Sequence, residues 1–335
     1  MKRITIKDIA RTLSLSVSTV SRALTGDKNI RTETRDAVIA AAKRLGYRPN
    51  PVAKNLKAGH SNTVGVLVPE MITPYAAKVI SGVQSILYSR GIKVLIADSG
   101  EDSAKERDNL ALMEQFMVDG IIISLCDYKR NNDEIRRLAE AGMPIVSYDR
   151  MARGLDIPQV TVDDYMKSFF LTEKLILGDR KTVVHLQGPD CVYNSIERFR
   201  GYRDAMAKYR LLVTPEMVIR TGLSFADGAE AADRIMRECP SCDAIFGFTD
   251  TVAIGAMNRM RELGRSIPED VAVAGFSGTE LSTIVYPQLS TVEPPLELMG
   301  RTAAELLLEK INNPSAPNRS VVLNADIIMR GSSQA

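Results

Sequence analysis

The chain has 335 residues, of which 45% are hydrophobic, and this is enough for sizeable cores in two or three domains. No apolar run is long enough to span a membrane, and the first residues lead into a polar helix without the apolar stretch of a secretory signal. We therefore expect a cytoplasmic protein. Four cysteines are too few for a disulfide framework.

Charge divides the chain into two unequal parts. Residues 1–60 hold 13 Lys and Arg against 4 Asp and Glu, a net charge of +9, whereas residues 61–335 hold 30 against 37, a net charge of −7. This asymmetry is typical of a nucleic-acid-binding module joined to a domain with another task. A solvated basic surface is the alternative, but it rarely coincides with the helical pattern that follows.

Two short amphipathic helices with almost nothing between them open the chain. Thr5 is predicted to cap the first helix, where Asp8 complements the exposed amides, and Ser16 is predicted to cap the second. The apolar residues of the first helix fall at the spacing of one helical face: Ile6, Ile9, Ala10 and Leu13. This arrangement predicts a helix-turn-helix.

The second helix separates an inward face from an outward one. At about 100° per residue, Val20, Ala23 and Leu24 share the buried side. The opposite side carries Val17, Ser18, Ser21 and Arg22. These side chains offer a methyl surface, hydroxyls and a guanidinium to base edges and phosphates in a major groove. A helical hairpin with a solvated polar face is the alternative.

A third helix and a hinge are predicted next. Thr32–Leu45 has its apolar residues on one side, and Gly46 is predicted to end it. Asn50 and Pro51 are an apt N-cap and first residue for a helix over 52–57. So short a helix needs a partner to be stable, such as its twin in a dimer and a DNA groove. Leu56 is then a candidate wedge between base steps in the minor groove, and a plain linker is the alternative.

The segments T-I-K-D-I-A, S-V-S-T-V-S-R-A-L and L-G-Y-R-P-N-P-V-A-K-N-L-K resemble the head and hinge of the lactose-repressor (LacI/GalR) family of bacterial transcription regulators. Lys54 departs from the family's usual arginine, which keeps the charge but loses the planar fork. The resemblance implies the following DNA-contacting residues: Thr5, Ser16, Val17, Ser18, Thr19, Ser21, Arg22, Asn29, Ala53, Lys54, Leu56 and Lys57.

From Thr63 onward, short β-branched runs alternate with helical stretches. The predicted strands are Val64–Val68, Val94–Ala97, Gly120–Ser124, Pro144–Tyr148, Thr182–Leu186, Val218–Arg220, Ala244–Phe248 and Val271–Gly275. The helices of the first set are predicted at 75–90, 103–117 and 131–141. Runs that are apolar throughout predict parallel sheets covered on both faces, so the fold class is an all-α head followed by an α/β body of two doubly wound lobes. Ligands of such sheets bind beyond the carboxyl ends of the strands, so the interlobe cleft is the expected pocket.

Residues 63–332 resemble the family's effector domain, which is built like periplasmic sugar-binding proteins. The resemblance implies three crossings between the lobes, near 161–163, 292–294 and 323–326, and a helix at Leu296–Ile311 that completes the first lobe. The domains we expect are a head at 1–49, a hinge helix and linker at 50–61, an N-terminal lobe at 62–162 plus 293–323, and a C-terminal lobe at 163–292 plus 324–335.

Seven residues are predicted to bind the effector: Thr73, Tyr75, Asp149, Arg198, Phe225, Thr249 and Ser277. Thr73 and Tyr75 follow the first strand, and Asp149 ends the fourth, where a carboxylate can accept hydroxyl hydrogen bonds. The segment S-I-E-R-F-R-G-Y places Arg198 on the family's effector-contacting arginine, and the resemblance gives Phe225 a ring that stacks on a sugar. A turn at Asp149 and a surface helix at Arg198 are the alternatives.

Asp163 and two of the seven positions bear further on the pocket. Asp163 is expected to order the cleft at a crossover instead of touching the ligand. Thr249 stands where many members of the family have asparagine, although the expected Asp250 follows it. Gly275-Phe276-Ser277-Gly278 lacks the carboxylate that the family pattern has at position 277. This leaves the identity of the effector open, and with it, in part, the carbohydrate class.

The pair Cys239 and Cys242 has the spacing of a redox motif or half a zinc site. Only two histidines and no second cysteine pair accompany it, so a helix end with two ordinary thiols is favoured. We predict no metal, no cofactor and no catalytic residue.

The sequence predicts a transcription regulator, which we expect to be a repressor. It is expected to bind pseudo-palindromic operator DNA as a homodimer. A small-molecule effector, expected to be a sugar or sugar derivative, is predicted to control this binding. Two other classes of protein fit the sequence less well. A solute-binding transport protein is opposed by the basic head and the absent signal sequence. An enzyme is opposed by the absence of phosphate-loop, nucleophile-elbow and metal-spaced histidine motifs. Whether the effector releases DNA or promotes binding stays open at this point.

Overall fold

The computed structural model describes residues 4–47 and 60–334. The chain divides into two compact units between Ser61 and Asn62. We call the described part of the first unit up to Tyr47 the head and the second unit the body, and each is described by itself.

The head contains three helices: α1 (Ile6–Leu13), α2 (Val17–Leu24) and α3 (Thr32–Leu45). Their buried apolar faces form one small core around Ile9, Val20 and Val38. The Thr5 amide donates to Asp8 Oδ2 over 2.9 Å, and the Ser16 hydroxyl accepts from the Thr19 amide over 3.0 Å. Both predicted helix starts are therefore confirmed. At each, a side-chain oxygen accepts from a backbone amide that has no partner within the helix.

The body contains two largely parallel sheets. The first has the strand order β11-β5-β4-β3-β1-β2 and the second the order β12-β10-β9-β8-β6-β7. The strands of the first sheet are β1 (Thr63–Val68), β2 (Lys93–Asp98), β3 (Gly120–Ile123), β4 (Ile145–Tyr148), β5 (Gln159–Val162) and β11 (Ser320–Leu323). Those of the second are β6 (Val183–Gln187), β7 (Val218–Arg220), β8 (Ala244–Gly247), β9 (Ala272–Phe276), β10 (Ser290–Glu293) and β12 (Asp326–Ile328).

Helices cover the sheets. They are α4 (Pro74–Tyr88), α5 (Ser103–Gln115), α6 (Asn132–Glu140), α7 (Asp164–Leu177), α8 (Tyr193–Lys208), α9 (Phe225–Glu238), α10 (Asp250–Glu262), α11 (Leu281–Ile284) and α12 (Leu296–Asn312), with a short 3-10 helix at Pro215–Met217. Helix α12 packs against α4 and strands of the first sheet, although it follows a strand of the second. We call the first sheet with its helices the N-terminal lobe and the second the C-terminal lobe.

The predicted strands and helices lie within one or two residues of those observed, because their buried runs and caps are strong local signals. Strands β5, β10, β11 and β12 were expected only as places where the chain crosses between lobes. The chain does pass between the sheets after β5, after β10 and after β11. One pairing departs from the parallel pattern, since β12 runs antiparallel to β10.

Close helix crossings in the body depend on glycine. A Cβ at Gly228 of α9 would lie 2.1 Å from the carbonyl oxygen of Val252, and one at Gly255 of α10 would lie 2.0 Å from that of Phe225. The α4–α12 crossing is built in the same way, with Gly82 and Gly300. Any larger residue would push these helices apart, and α9 and α10 both begin at the cleft described next.

Candidate functional site: the head surface and the interlobe cleft

The outward side of α2 presents a mixed surface to solvent. Val17 is 46% exposed, Ser18 and Arg22 are also exposed, and Val20 and Ala23 are buried on the other side. The predicted division of the helix into two faces is confirmed for these residues, whereas Ser21, predicted outward, and Leu24, predicted inward, are both half-buried. An exposed methyl, hydroxyl and guanidinium within two turns of one helix can read base edges and contact phosphates.

Ser16 arranges the start of this helix. Its hydroxyl lies 2.8 Å from the Ser18 hydroxyl and 2.8 Å from that of Thr19, in addition to capping the Thr19 amide. Thr5 and Asn29 are exposed, and Thr19 and Ser21 are half-buried. Four of the predicted DNA contacts, Ala53, Lys54, Leu56 and Lys57, lie outside the described residues.

The body has a cavity of about 480 Å³ between its lobes. It lies beyond the carboxyl ends of the strands, where sheets of this kind bind ligands. All seven predicted effector residues are in its wall: Thr73, Tyr75, Asp149, Arg198, Phe225, Thr249 and Ser277. The cavity therefore brings together side chains that are far apart in the sequence.

On the N-terminal lobe, Asp149 is the central polar group. It follows β4 with a φ of 59°, a left-handed conformation that is costly for a residue other than glycine and that concentrates at functional sites. The Tyr75 hydroxyl donates to Asp149 Oδ1 over 2.8 Å, and burial beside this carboxylate raises the pKa of Tyr75 well above its ordinary value. Asp149 Oδ2 has no hydrogen-bond partner among the described residues, so it can accept from a ligand.

On the C-terminal lobe, Arg198 is 5% exposed and firmly held. Its Nε donates to Asp164 Oδ1 over 2.7 Å and its Nη1 donates to the Phe248 carbonyl over 2.7 Å. The guanidinium carbon lies 3.6 Å from the centroid of the Phe276 ring. These contacts leave Nη2 to reach a ligand from a fixed position.

The acid that pairs with Arg198 corrects one prediction. Asp163 was expected to order the cleft, but it is exposed, and its carboxylate caps α7 by accepting from the Met166 amide over 2.9 Å. The next residue, Asp164, is buried and holds both Arg198 and the Asn194 amide group. Asp163 precedes α7, and its side chain turns to the amides of the first turn. Asp164 is the first residue of α7, and its side chain faces α8.

Asp250 lies deeper in the same wall and is 1% exposed. The Thr291 hydroxyl donates to its Oδ1 over 2.5 Å and the Gly278 amide to its Oδ2 over 2.9 Å. Burial raises the pKa of Asp250 to about 7, and that of Asp164 to about 6. Burial disfavours the charged form of both acids. It is offset in part by Arg198 at Asp164 and by hydrogen bonds from Thr291 and Gly278 at Asp250.

A second arginine lines the cavity and was not assigned a role from the sequence. Arg150 makes a bidentate ion pair with Glu101 over 2.7 and 2.6 Å and donates to the Leu125 carbonyl over 3.1 Å. Glu101 follows β2, so the rule that placed Asp149 after β4 could also have found it. Glu70, also in the wall, accepts from the amides of Ile72 and Thr73 over 2.6 and 2.9 Å.

The remaining predicted residues contribute hydroxyls and an aromatic edge. Thr249 caps α10, and the Ser277 hydroxyl donates to the Phe276 carbonyl. Phe225, at the start of α9, has 43% of its surface exposed. Two buried polar atoms of the wall have no protein partner in the described chain, namely Asn194 Oδ1 and Thr279 Oγ1.

Other features of the body carry no chemistry of this kind. Cys239 and Cys242 are buried free thiols at the end of α9, and burial raises the pKa of Cys242 to about 12. No group of three or more potential metal ligands occurs in residues 4–47 and 60–334. No helix in these ranges is both long and apolar enough to cross a membrane.

Known proteins with the same organisation place these two sites in context. A model of bacterial regulatory proteins of the LacI family matches residues 5–50, and a model of the periplasmic binding protein-like domain matches residues 177–333. Catabolite control protein A of Priestia megaterium is 30% identical over 332 residues, which covers 99% of both chains.

Solved structures agree with this assignment. The complex of the transcriptional regulator CelR with cellobiose covers 98% of this chain and all of its own, with 27% identity and a TM-score of 0.75. The lac repressor dimer bound to operator and the anti-inducer ONPF covers the whole of both chains with a TM-score of 0.81; at 21% identity it supports the fold. The chain therefore belongs to the LacI family of bacterial regulatory proteins and is a DNA-binding transcription regulator with an effector-binding body.

Proposed function

We propose that the interlobe cleft binds a sugar or sugar derivative and that this ligand is the effector of the regulator. The observation that carries the proposal is the pair of Asp149 and Arg198, which the two lobes place in the wall of one cavity with a free carboxylate oxygen and a free guanidinium nitrogen. A hydroxyl-rich ligand can donate to the first and accept from the second. The similarity to a regulator solved with cellobiose supports the same class of ligand.

Each predicted pocket residue has a distinct part in this proposal. Asp149 accepts from hydroxyls, Arg198 donates to an oxygen, and Phe225 packs its ring on an apolar sugar face. Thr249 and Ser277 supply hydroxyls from the C-terminal lobe, and Thr73 and Tyr75 fix the opposite rim. The domain boundaries stay as predicted, with lobes at 62–162 plus 293–323 and at 163–292 plus 324–335.

For the DNA side, we propose a homodimer that places two heads on a pseudo-palindromic operator, since one head makes too few contacts for useful specificity. Val17, Ser18 and Arg22 read bases. Thr5, Ser16, Thr19, Ser21 and Asn29 position the head on the backbone, and Leu56 wedges between base steps with Ala53, Lys54 and Lys57 around it. The protein acts in the cytoplasm as a repressor and has no enzymatic activity.

Coupling between the two sites follows from the two-lobed body. A ligand that contacts both lobes favours one lobe angle, and the angle is passed to the paired hinge segments, whose short helices fold or melt. By linkage, the DNA must change the affinity for the effector by the same factor.

The test is a DNA-binding titration. A duplex selected by the full-length protein from a random library is titrated in the presence and absence of the sugar that most stabilises the protein against heat. We expect the DNA dissociation constant to change at least about 5-fold with the sugar. Leu56→Ala should weaken DNA binding and leave sugar binding unchanged. A sugar that binds tightly without changing DNA affinity would refute the assignment as effector.

A further inference from the structure

Carboxylates outnumber arginines in the wall of the cleft. Four acidic side chains line it, Glu70, Glu101, Asp149 and Asp250, against two basic ones, Arg150 and Arg198. A fifth acid, Asp164, lies nearby and forms an ion pair with Arg198. The cavity therefore has no excess positive charge to offer to an anion.

Both arginines are already committed to carboxylates. Arg150 is held bidentately by Glu101, and only 11% of its side chain is exposed. Two nitrogens of Arg198 are held by Asp164 and by the Phe248 carbonyl. A ligand phosphate or carboxylate could form a two-point salt bridge with either arginine only by displacing one of these partners. Otherwise it is limited to the single free nitrogen of Arg198.

Protein carboxylates and hydroxyls also accept from backbone amides next to helix starts at the cleft. Just before α4, the amides of Ile72 and Thr73 and the Thr73 hydroxyl all donate to the Glu70 carboxylate. Glu70 therefore places a negative charge beside the positive end of α4, where a phosphate would otherwise be attracted. At α9, Ser224 and Asp227 cap each other, and at α10 the Thr249 hydroxyl accepts the Val252 amide.

What remains available in the cleft suits hydroxyl groups. Asp149 Oδ2 lacks a protein partner among the described residues and can accept a hydrogen bond, and Nη2 of Arg198 can donate one. The charge of Arg198 acts on Asp164 and Asp250, and the charge of Asp149 acts on Asp164. An anion at the free Arg198 nitrogen would therefore lie near acidic groups that already compensate this arginine.

We infer that the cleft selects an uncharged polyhydroxyl ligand and rejects the corresponding sugar acids and sugar phosphates. This inference rests on the proposed function, because it names which sugars the site accepts. It assigns Glu70 and Glu101 a role in specificity, since each occupies a place where an anionic ligand would otherwise bind.

The experiment uses matched ligand sets on the full-length protein. Neutral pentoses, hexoses and disaccharides are compared with their 5- or 6-phosphates and with their aldonic or uronic acids, by thermal shift and then by calorimetry. For the sugar skeleton that binds best, we expect the neutral form to bind at least about 10-fold more tightly than either anionic form.

Glu101→Gln sharpens the test because it frees Arg150 without changing side-chain size. We expect the preference for the neutral form over the phosphate to fall at least 5-fold. Glu114→Gln is the matched control, since Glu114 holds Arg137 bidentately on an exposed surface of the same lobe. The control should keep the wild-type preference. A single cooperative melting transition should show that each variant is folded, with that of Glu101→Gln at a lower temperature because it breaks a largely buried ion pair.

The outcomes separate the two proposals. Tighter binding of a phosphate or acid than of its neutral form overturns the inference and leaves the sugar-derivative function standing. An unchanged preference in Glu101→Gln overturns the role of Glu101. Absence of binding by every member of the panel overturns the proposed function, and the inference with it.

Discussion

The head and the cleft use arginine in opposite ways. In the head, Arg22 is exposed on α2 and makes no ion pair among the described residues, within a segment of net charge +9. In the cleft, Arg198 is buried and Arg150 is half-buried, and each is paired with a carboxylate. An unpaired arginine can be neutralised by a polyanion such as DNA. An arginine that is already paired has no net charge left to offer and acts as a hydrogen-bond donor in a fixed position. The same residue type thus provides attraction to DNA in one region and a rigid hydrogen-bond donor in the other.

The largest expected effect comes from breaking a buried pair. Arg198→Ala should lower the free energy of unfolding by about 3–5 kcal/mol, because it leaves Asp164 buried without its partner. Arg137→Ala is the exposed counterpart, since Arg137 pairs with Glu114 and Glu134 on the surface, and it should cost about 1 kcal/mol or less. Urea unfolding of both variants measures the difference. Equal losses of unfolding free energy in the two variants would contradict the contrast between a buried and an exposed ion pair.

In the head, removing an open charge should affect DNA and not folding. Arg22→Ala should weaken binding to the selected duplex by about 1–3 kcal/mol per half-site if the guanidinium reads a base. Fluorescence anisotropy with the selected duplex and with one mutated at single positions measures both affinity and preference. Arg11 is a useful control, because it is exposed and lies near Asp8 on α1, outside the recognition helix. A loss that is equal for all duplexes would show that Arg22 contacts only phosphates.

The C-terminal lobe also contains a titratable side chain that stays neutral in the folded protein. His185 is fully buried against the rings of Tyr202 and Phe246, and burial lowers its pKa to about 3. Because the folded pKa is below the unfolded value, the unfolded chain binds more protons between these values, and stability falls as pH falls below about 6.5. From pH 7 to pH 5 this costs about 2 kcal/mol.

Replacing the imidazole isolates this contribution. His185→Asn cannot be protonated, so the wild type should lose more stability than the variant between pH 7 and pH 5 in urea unfolding. Asp164 and Asp250 act in the opposite direction, since their folded pKa values of about 6 and about 7 are raised and favour the folded state as pH falls. Parallel pH profiles for the two proteins would show that His185 is protonated in the folded state.

The smallest effect tests how the head positions its reading face. Ser16→Ala removes the cap of α2 and the hydroxyl that Ser18 and Thr19 contact, and it should cost the head about 1 kcal/mol. Ser16→Gly should cost less, because glycine is tolerated at this position. Thermal unfolding of the head, followed by its own circular-dichroism signal, compares the two. A greater loss for glycine would show that Ser16 does not act as the cap.

Much of this organisation could be predicted from the sequence, for physical reasons that differ between regions. Thr5 and Ser16 are local signals, because a cap and its amide lie within three residues. Asp149 could be placed because parallel strands end at one edge, and Arg198 because its segment matches a known family. All seven predicted pocket residues line the cavity.

The partners of these residues could not be read from local pattern. Asp164 pairs with Arg198 across 34 positions of sequence, and one residue decides whether the side chain at the start of α7 faces solvent or α8. Glu101 pairs with Arg150 across 49 positions. The hinge prediction at Leu56 lies outside the described residues and stays a prediction.

The dependence of binding on salt concentration tests most directly the contrast between the unpaired charges of the head and the paired charges of the cleft. Binding of the selected duplex and of the best neutral sugar should be measured on the same preparation from 50 to 200 mM salt. We expect DNA affinity to fall by a factor of about 10³ or more, because bound cations are released from each phosphate contact. We expect sugar affinity to change less than about 2-fold, because no net charge is neutralised in the cleft. A sugar affinity that falls steeply in parallel with DNA affinity would contradict the account.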